Sequence, residues 1–111
     1  MEMQNETGTT KNPLIAKVEE IVKSNDVVIF MKGTPDFPAC GFSARTVATL
    51  RAAGAKSLKG IDVLSDDPLR GALEEHTQWP TVPQVFIKGQ FIGGCDITVE
   101  MFESGELQKL M

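Results

Sequence analysis

Cys40 is the residue of this chain whose type and setting could do chemistry; it stands within PACGFSA, residues 38–44. A thiol acts as a nucleophile or metal ligand in its thiolate form, which a helix N-terminus and a neighbouring cation both stabilise. From Gly41 the pattern turns helical, and the run MKGTPDFPAC leads from a strand pattern through a turn-rich loop into the cysteine. Lys32 and Cys40 are therefore expected at the same end of adjacent elements, with the ammonium lowering the pKa of the thiol. The alternative for a lone cysteine is a small buried hydrophobe. Ser43 occupies the position where a dithiol site carries its second thiol. A hydroxyl can neither attack a disulfide nor leave from one, so turnover by disulfide exchange would need an external thiol or Cys95.

Two further stretches bear on the same site. In WPTVPQVFI, Pro83 directly precedes a strand pattern, where it donates no ladder hydrogen bond. A trans bond before it is the usual case; a cis bond would leave the backbone of Val82 facing outward, able to grip an extended peptide-like ligand. In GGCD, residues 93–96, the glycine pair lets a ligand approach the backbone. Asp96 is expected to cap the last long helix, and the free N–H groups there make a modest anion site. Cys95, read as a strand end, suggests packing. His76 and two distant cysteines lack the ligand number and spacing of a structural zinc site.

The elements that position these residues follow from caps and periodicity. Asn12 and Pro13 open a helix with Leu14, Val18, Ile21 and Val22 on one face, and Asn25 is read as its left-handed stop. DVVIFMK is an uninterrupted β-branched and aromatic run, hence a central strand covered on both faces. A helix over 41–53 carries Phe42, Val47 and Leu50 and ends at Gly54. LKGIDVL is a second strand broken by Gly60, and Ser65-Asp66-Asp67-Pro68 starts a helix with Leu69, Ala72 and Leu73. QVFI and QFIGG form a hairpin around Lys88-Gly89, and a helix over 97–104 is followed by Gly105 and a short helical tail. This order predicts one α/β domain over 12–111, a four-stranded mixed β-sheet flanked by helices on both faces, behind a disordered tail over 1–11.

Composition excludes other classes. The net charge of −4, with eleven scattered basic residues, argues against a nucleic-acid partner, which needs clustered Lys and Arg. No apolar run approaches a bilayer span. The first dozen residues carry two Glu, no Arg and no apolar core, unlike a signal or transit peptide. A cytoplasmic location with free thiols is therefore expected.

MKGTPDFPACGFSA, WPTVPQVFIKGQFIGGCD and the closing GELQKLM occur in the order and spacing of the CGFS-type monothiol glutaredoxins; the chain resembles that family from about residue 12 to its end. The resemblance implies a thioredoxin-like fold with glutathione as ligand. Lys32 and Arg70 would hold its glycine carboxylate, and Val82 would pair with its cysteinyl backbone. Cys95 and Asp96 would receive the γ-glutamyl end, and Phe42 would line the floor beside the sulfur. Many members carry a further basic residue after Arg70, where this chain reads Glu74, Glu75 and His76. The resemblance also implies a [2Fe–2S] cluster, with Cys40 the metal ligand from each of two chains and two glutathiones completing the set. On that resemblance the chain would be a cluster carrier, a cluster-bridged homodimer when loaded and a monomer when empty, with BolA-like and apo iron–sulfur acceptor proteins as partners. The rival reading is a glutathione-dependent oxidoreductase of weak activity acting through Cys40. A Cys40–Cys95 disulfide stays open, provided the α-carbons lie within roughly 7 Å.

Overall fold

The computed structural model describes residues 12–111 of the chain; the tail reading for 1–11 lies outside them. All five residues of β1, Val27–Met31, are buried. Val28 and Phe30 join one apolar layer, and Val27, Ile29 and Met31 the opposite one. A strand apolar on both sides must be covered on both faces and paired on both edges. β2, Leu58–Asp62, lies parallel to it on one side. β3, Gln84–Ile87, lies antiparallel on the other and pairs in turn with β4, Gln90–Gly93. The sheet is the expected four-stranded mixed one, ordered β2-β1-β3-β4.

Helices α1 (Leu14–Ser24) and α3 (Asp67–Thr77) cover one face through Val18, Val22, Leu69 and Leu73. Helices α2 (Gly41–Ala52) and α5 (Glu106–Lys109) cover the other through Val47, Leu50 and Leu107, and α4 (Cys95–Ser104) packs beside α2. Among the described residues no helix is long and apolar enough to cross a membrane.

Register decides where the chain's turns meet. Met31 lies opposite Asp62 and Phe30 opposite Gln84. The exits of β1, β2 and β4 and the approach to β3 therefore share one end of the sheet. Cys40, Arg70, Val82 and Asp96 all lie on the segments that leave or enter there.

The local signals act mostly as read. The Asn12 carboxamide accepts from Leu14 N–H at 3.0 Å, and the Asp66 carboxylate accepts from Leu69 N–H at 3.1 Å. Lys88 and Gly89 take φ of 52° and 85°, as a tight hairpin turn needs. Two readings of helix ends are corrected. Asn25 is extended, φ −136° and ψ 141°, and closes α1 by donating its side-chain N–H to Ile21 O at 2.9 Å. The helix expected from residue 97 starts at Cys95 with Gly94 as its cap, so Asp96 sits in the first turn and does not cap it, and Cys95 belongs to the helix and not to the strand end.

Gly60 does not interrupt β2; the strand runs through it. A Cβ there would fall 2.3 Å from the Pro35 ring of the loop after β1, so the glycine makes room for that loop to lie on the sheet edge. Gly60→Ala is predicted to cost about 1–3 kcal/mol of stability by overpacking, measured by urea unfolding. Pro35→Ala in the same chain should recover most of the loss, whereas an undiminished loss would place the strain elsewhere.

Candidate functional site

The loop between β1 and α2 is held as a compact turn. Thr34 N–H donates to Phe37 O at 3.2 Å and Phe37 N–H returns to Thr34 O at 3.0 Å. Gly33 and Pro38 form a β-bridge, and Arg51 reaches Asp36 at 3.1 Å. Ala39 N–H then donates to Lys32 O at 2.9 Å, which brings the cysteine back beside the end of β1.

Cys40 caps α2 with extended backbone, φ −153° and ψ 152°. Its Sγ accepts from Ser43 N–H at 3.4 Å and lies 3.6 Å from Ser43 Oγ. Ser43 is fully buried, and its Oγ also accepts from Lys32 N–H at 3.2 Å. The hydroxyl has a second lone pair, which accepts from the Cys40 thiol, and its own proton is the one it can give to the sulfur once that is a thiolate. The thiol is half-buried, and that desolvation pushes its pKa up. Bonds from the Ser43 N–H and hydroxyl, a further one from Phe42 N–H and the charge of Lys32 outweigh it, and hold the pKa below the ordinary 9.0. Ser43 therefore works as a donor to the thiolate in the place of a second thiol.

Beside this thiol lies a cavity of about 540 Å³. Lys32, from the end of β1, and Arg70, from the first turn of α3, put two cations on its wall. Among the described residues no carboxylate lies within ion-pair distance of either. Val82 and Pro83 form a second wall, and the bond between them is cis. Among the described residues, neither the N–H nor the C=O of Val82 forms a hydrogen bond. Gly94, Cys95 and Asp96 complete the enclosure at the N-terminus of α4, whose first N–H groups have no side-chain cap. Cys95 is buried at 7% exposure and is, like Cys40, a free thiol. The glycine pair has a packing reason: a Cβ on Gly93 would meet Ile97 at 2.9 Å, and one on Gly94 would sit 3.2 Å from Pro83 O.

Six of the seven residues read from the sequence, Lys32, Phe42, Arg70, Val82, Cys95 and Asp96, line this one cavity. Cys40 adjoins it through its neighbours Lys32 and Phe42. Phe42, 66% exposed, stands at the rim and takes no part in the core with Val47 and Leu50. Trp79, Thr81 and Ile97 also line the cavity, in addition to the residues the sequence points to. The signal for Trp79 was its being the single tryptophan, next to Pro80 and close before Pro83. Ile97 carries no signal beyond hydrophobicity.

The glutaredoxin family model matches residues 27–92. The chain is 49% identical over 96 residues to a rice protein named monothiol glutaredoxin-S7, chloroplastic, covering 86% of this chain and 56% of that protein's length. It is 45% identical over 102 residues to probable monothiol glutaredoxin 2 of Rickettsia prowazekii, covering 92% of this chain and 94% of the relative. The crystal structure of a buckwheat glutaredoxin–glutathione complex superposes with a TM-score of 0.77 at 32% identity, covering 87% of this chain and 86% of that one.

The bonds at Sγ predict how the thiol titrates. A thiol alkylates faster as pH rises through its pKa, so a lowered pKa keeps Cys40 reactive at lower pH than a free cysteine. In Ser43→Ala the rate–pH curve for iodoacetamide should move to higher pH and the rate at neutral pH should fall. A curve that stays in place would show that the hydroxyl does not act on the sulfur.

Proposed function

The chain belongs to the monothiol glutaredoxin family, and from that premise we propose that it binds glutathione in the cavity beside Cys40 and carries a [2Fe–2S] cluster between two copies of itself. The observation that carries the first half is the order of chemistry along the cavity. The cations of Lys32 and Arg70 lie on one wall, an unpaired backbone at Val82 comes next, and the helix N-terminus with the Asp96 carboxylate completes it. Glutathione has complementary groups in series: a glycine carboxylate, a cysteinyl peptide unit, and a γ-glutamyl end with both carboxylate and ammonium. Lys32 and Arg70 take the first by charge-assisted hydrogen bonds. Val82 pairs with the second as an added strand would. Cys95 and Asp96 N–H groups take the terminal carboxylate, and the Asp96 side chain takes the ammonium. The glutathione complex of the buckwheat relative supports the same ligand here, and the volume is of the size that small-molecule sites have.

The cluster is cargo. A [2Fe–2S] cluster takes four thiolate-type ligands. Among the described residues no three His, Cys, Asp or Glu side chains gather as a metal site. As the family resemblance implies, one chain would supply Cys40, and a second copy with two glutathiones the rest. A cluster held partly by noncovalent ligands at an exposed junction is easily passed to an apo acceptor or shared with a BolA-like partner.

The half-buried, low-pKa sulfur also favours a second reading, reduction of glutathione mixed disulfides. The Cys40 thiolate attacks the glutathione sulfur, the substrate leaves as a thiolate, and a second glutathione thiolate attacks the same sulfur. Oxidised glutathione is released and Cys40 regenerated. Both readings use one thiolate, and in the second Ser43 cannot resolve the mixed disulfide.

Anaerobic reconstitution with iron, sulfide and glutathione is expected to give the charge-transfer absorption of a [2Fe–2S] centre together with a doubled mass, both lost in Cys40→Ser. A colourless monomer would remove the carrier reading, and rapid steady-state turnover of a small glutathione mixed disulfide would favour the enzyme. Arg70→Ala is predicted to weaken glutathione binding about tenfold or more, with the difference shrinking as salt rises. Isothermal calorimetry at two ionic strengths checks it.

A further inference from the structure

Gln84, the first residue of β3, is 1% exposed. Its Nε2 donates to Trp79 O at 2.9 Å and to Thr81 O at 3.0 Å. Only an NH2 can face two carbonyls, so the orientation of the amide follows from its partners. Its Oε1 is buried with no partner among the described residues. That oxygen carries a desolvation penalty which an apolar side chain of similar length would avoid. What the polar head does supply is the pair of bonds to residues 79 and 81.

Those bonds act on one segment. Trp79, Thr81 and Val82 line the cavity, whereas Gln84 does not. The carbonyls of Trp79 and Thr81 are drawn inward to the buried amide, and between them and Pro83 the N–H and C=O of Val82 keep no partner within the described residues. The segment has no strand pairing of its own, since the ladder of β3 starts at Gln84 opposite Phe30. Trp79 is tied further by an edge-on contact with Phe91 at 5.9 Å, an apolar restraint on the ring that leaves the backbone direction open.

We propose that Gln84 is the positioning residue of the cleft: its side-chain amide holds Trp79–Val82 in the conformation that presents the Val82 backbone to the ligand. Gln84 does not touch that ligand. The ligand's identity rests on the glutathione reading above; the positioning rests on the two amide bonds. Preorganising a binding segment in this way raises affinity by removing the ordering cost from the binding step.

The test uses the full chain with Gln84→Met, which keeps length and loses both donors, and Gln84→Glu, which keeps shape and offers the carbonyls an acceptor. Calorimetry should show glutathione affinity reduced about tenfold or more in both. Backbone 15N order parameters of Thr81 and Val82 should fall below the wild-type values. The iodoacetamide rate–pH curve of Cys40 should not move, because Ser43, Phe42 and Lys32 hold the sulfur from another segment. A role limited to packing would lower the melting temperature and leave affinity and the Thr81/Val82 order parameters unchanged, and that result overturns the proposal. If neither variant folds, the wild type decides: a Gln84 side-chain NH2 slow to exchange supports the proposal, and one exchanging as a free amide overturns it. Wild-type protein that binds no glutathione defeats the ligand reading, while the order parameters of Thr81 and Val82 in the variants still judge Gln84.

Discussion

The covering of β1 on both faces constrains everything around it. Five consecutive apolar residues must be paired on both edges and packed above and below, and here a parallel neighbour and an antiparallel one supply the two edges. That mixture brings three strand exits and one strand approach to the same end of the sheet. Four segments distant in sequence then meet there, and the cavity is the space they leave. Gly60 shows how tightly this end is arranged, since a single methyl group there would collide with the loop that carries the cysteine.

Within that frame the thiol depends on hydrogen bonds from the first turn of the helix it caps. Ser43 links the backbone of Lys32 to the sulfur of Cys40 through one buried hydroxyl, so the end of β1 and the start of α2 hold the nucleophile together. Burial alone would make the thiol a weaker acid, and the donors gathered at the helix N-terminus reverse that sign. The absence of a second thiol at position 43 closes an internal disulfide there and at the same time supplies the hydroxyl donor. Lys32 and Phe42 serve both the sulfur and the cavity wall, whereas Arg70, Val82 and Asp96 serve the wall from segments away from the sulfur.

Much of this was legible before any fold was known. The strand pattern at 27–31, the caps at Asn12 and Asp66 and the Lys88-Gly89 turn are local events, and each acts in the structure as its residues suggest. Asn25 shows the margin of such reading. Its residue type suits a left-handed stop, yet its side chain can also bond back to Ile21 O, and that alternative prevailed. Asp96 shows it again: the backbone of Gly94 starts α4, and the carboxylate is left free to face the cavity.

By itself the sequence determined the kind of chemistry: one thiol at a helix start, a hydroxyl where a second thiol would stand, and a strand pattern that must be central. These are set by interactions reaching only a few residues along the chain, and type and spacing record them. The tertiary structure alone decided that Phe42 turns outward, that Trp79, Thr81 and Ile97 join the wall, and that a buried glutamine amide holds the segment beside Pro83. Those facts depend on where separate segments lie relative to one another. Strand register and packing set that placement, and no short stretch of sequence contains it.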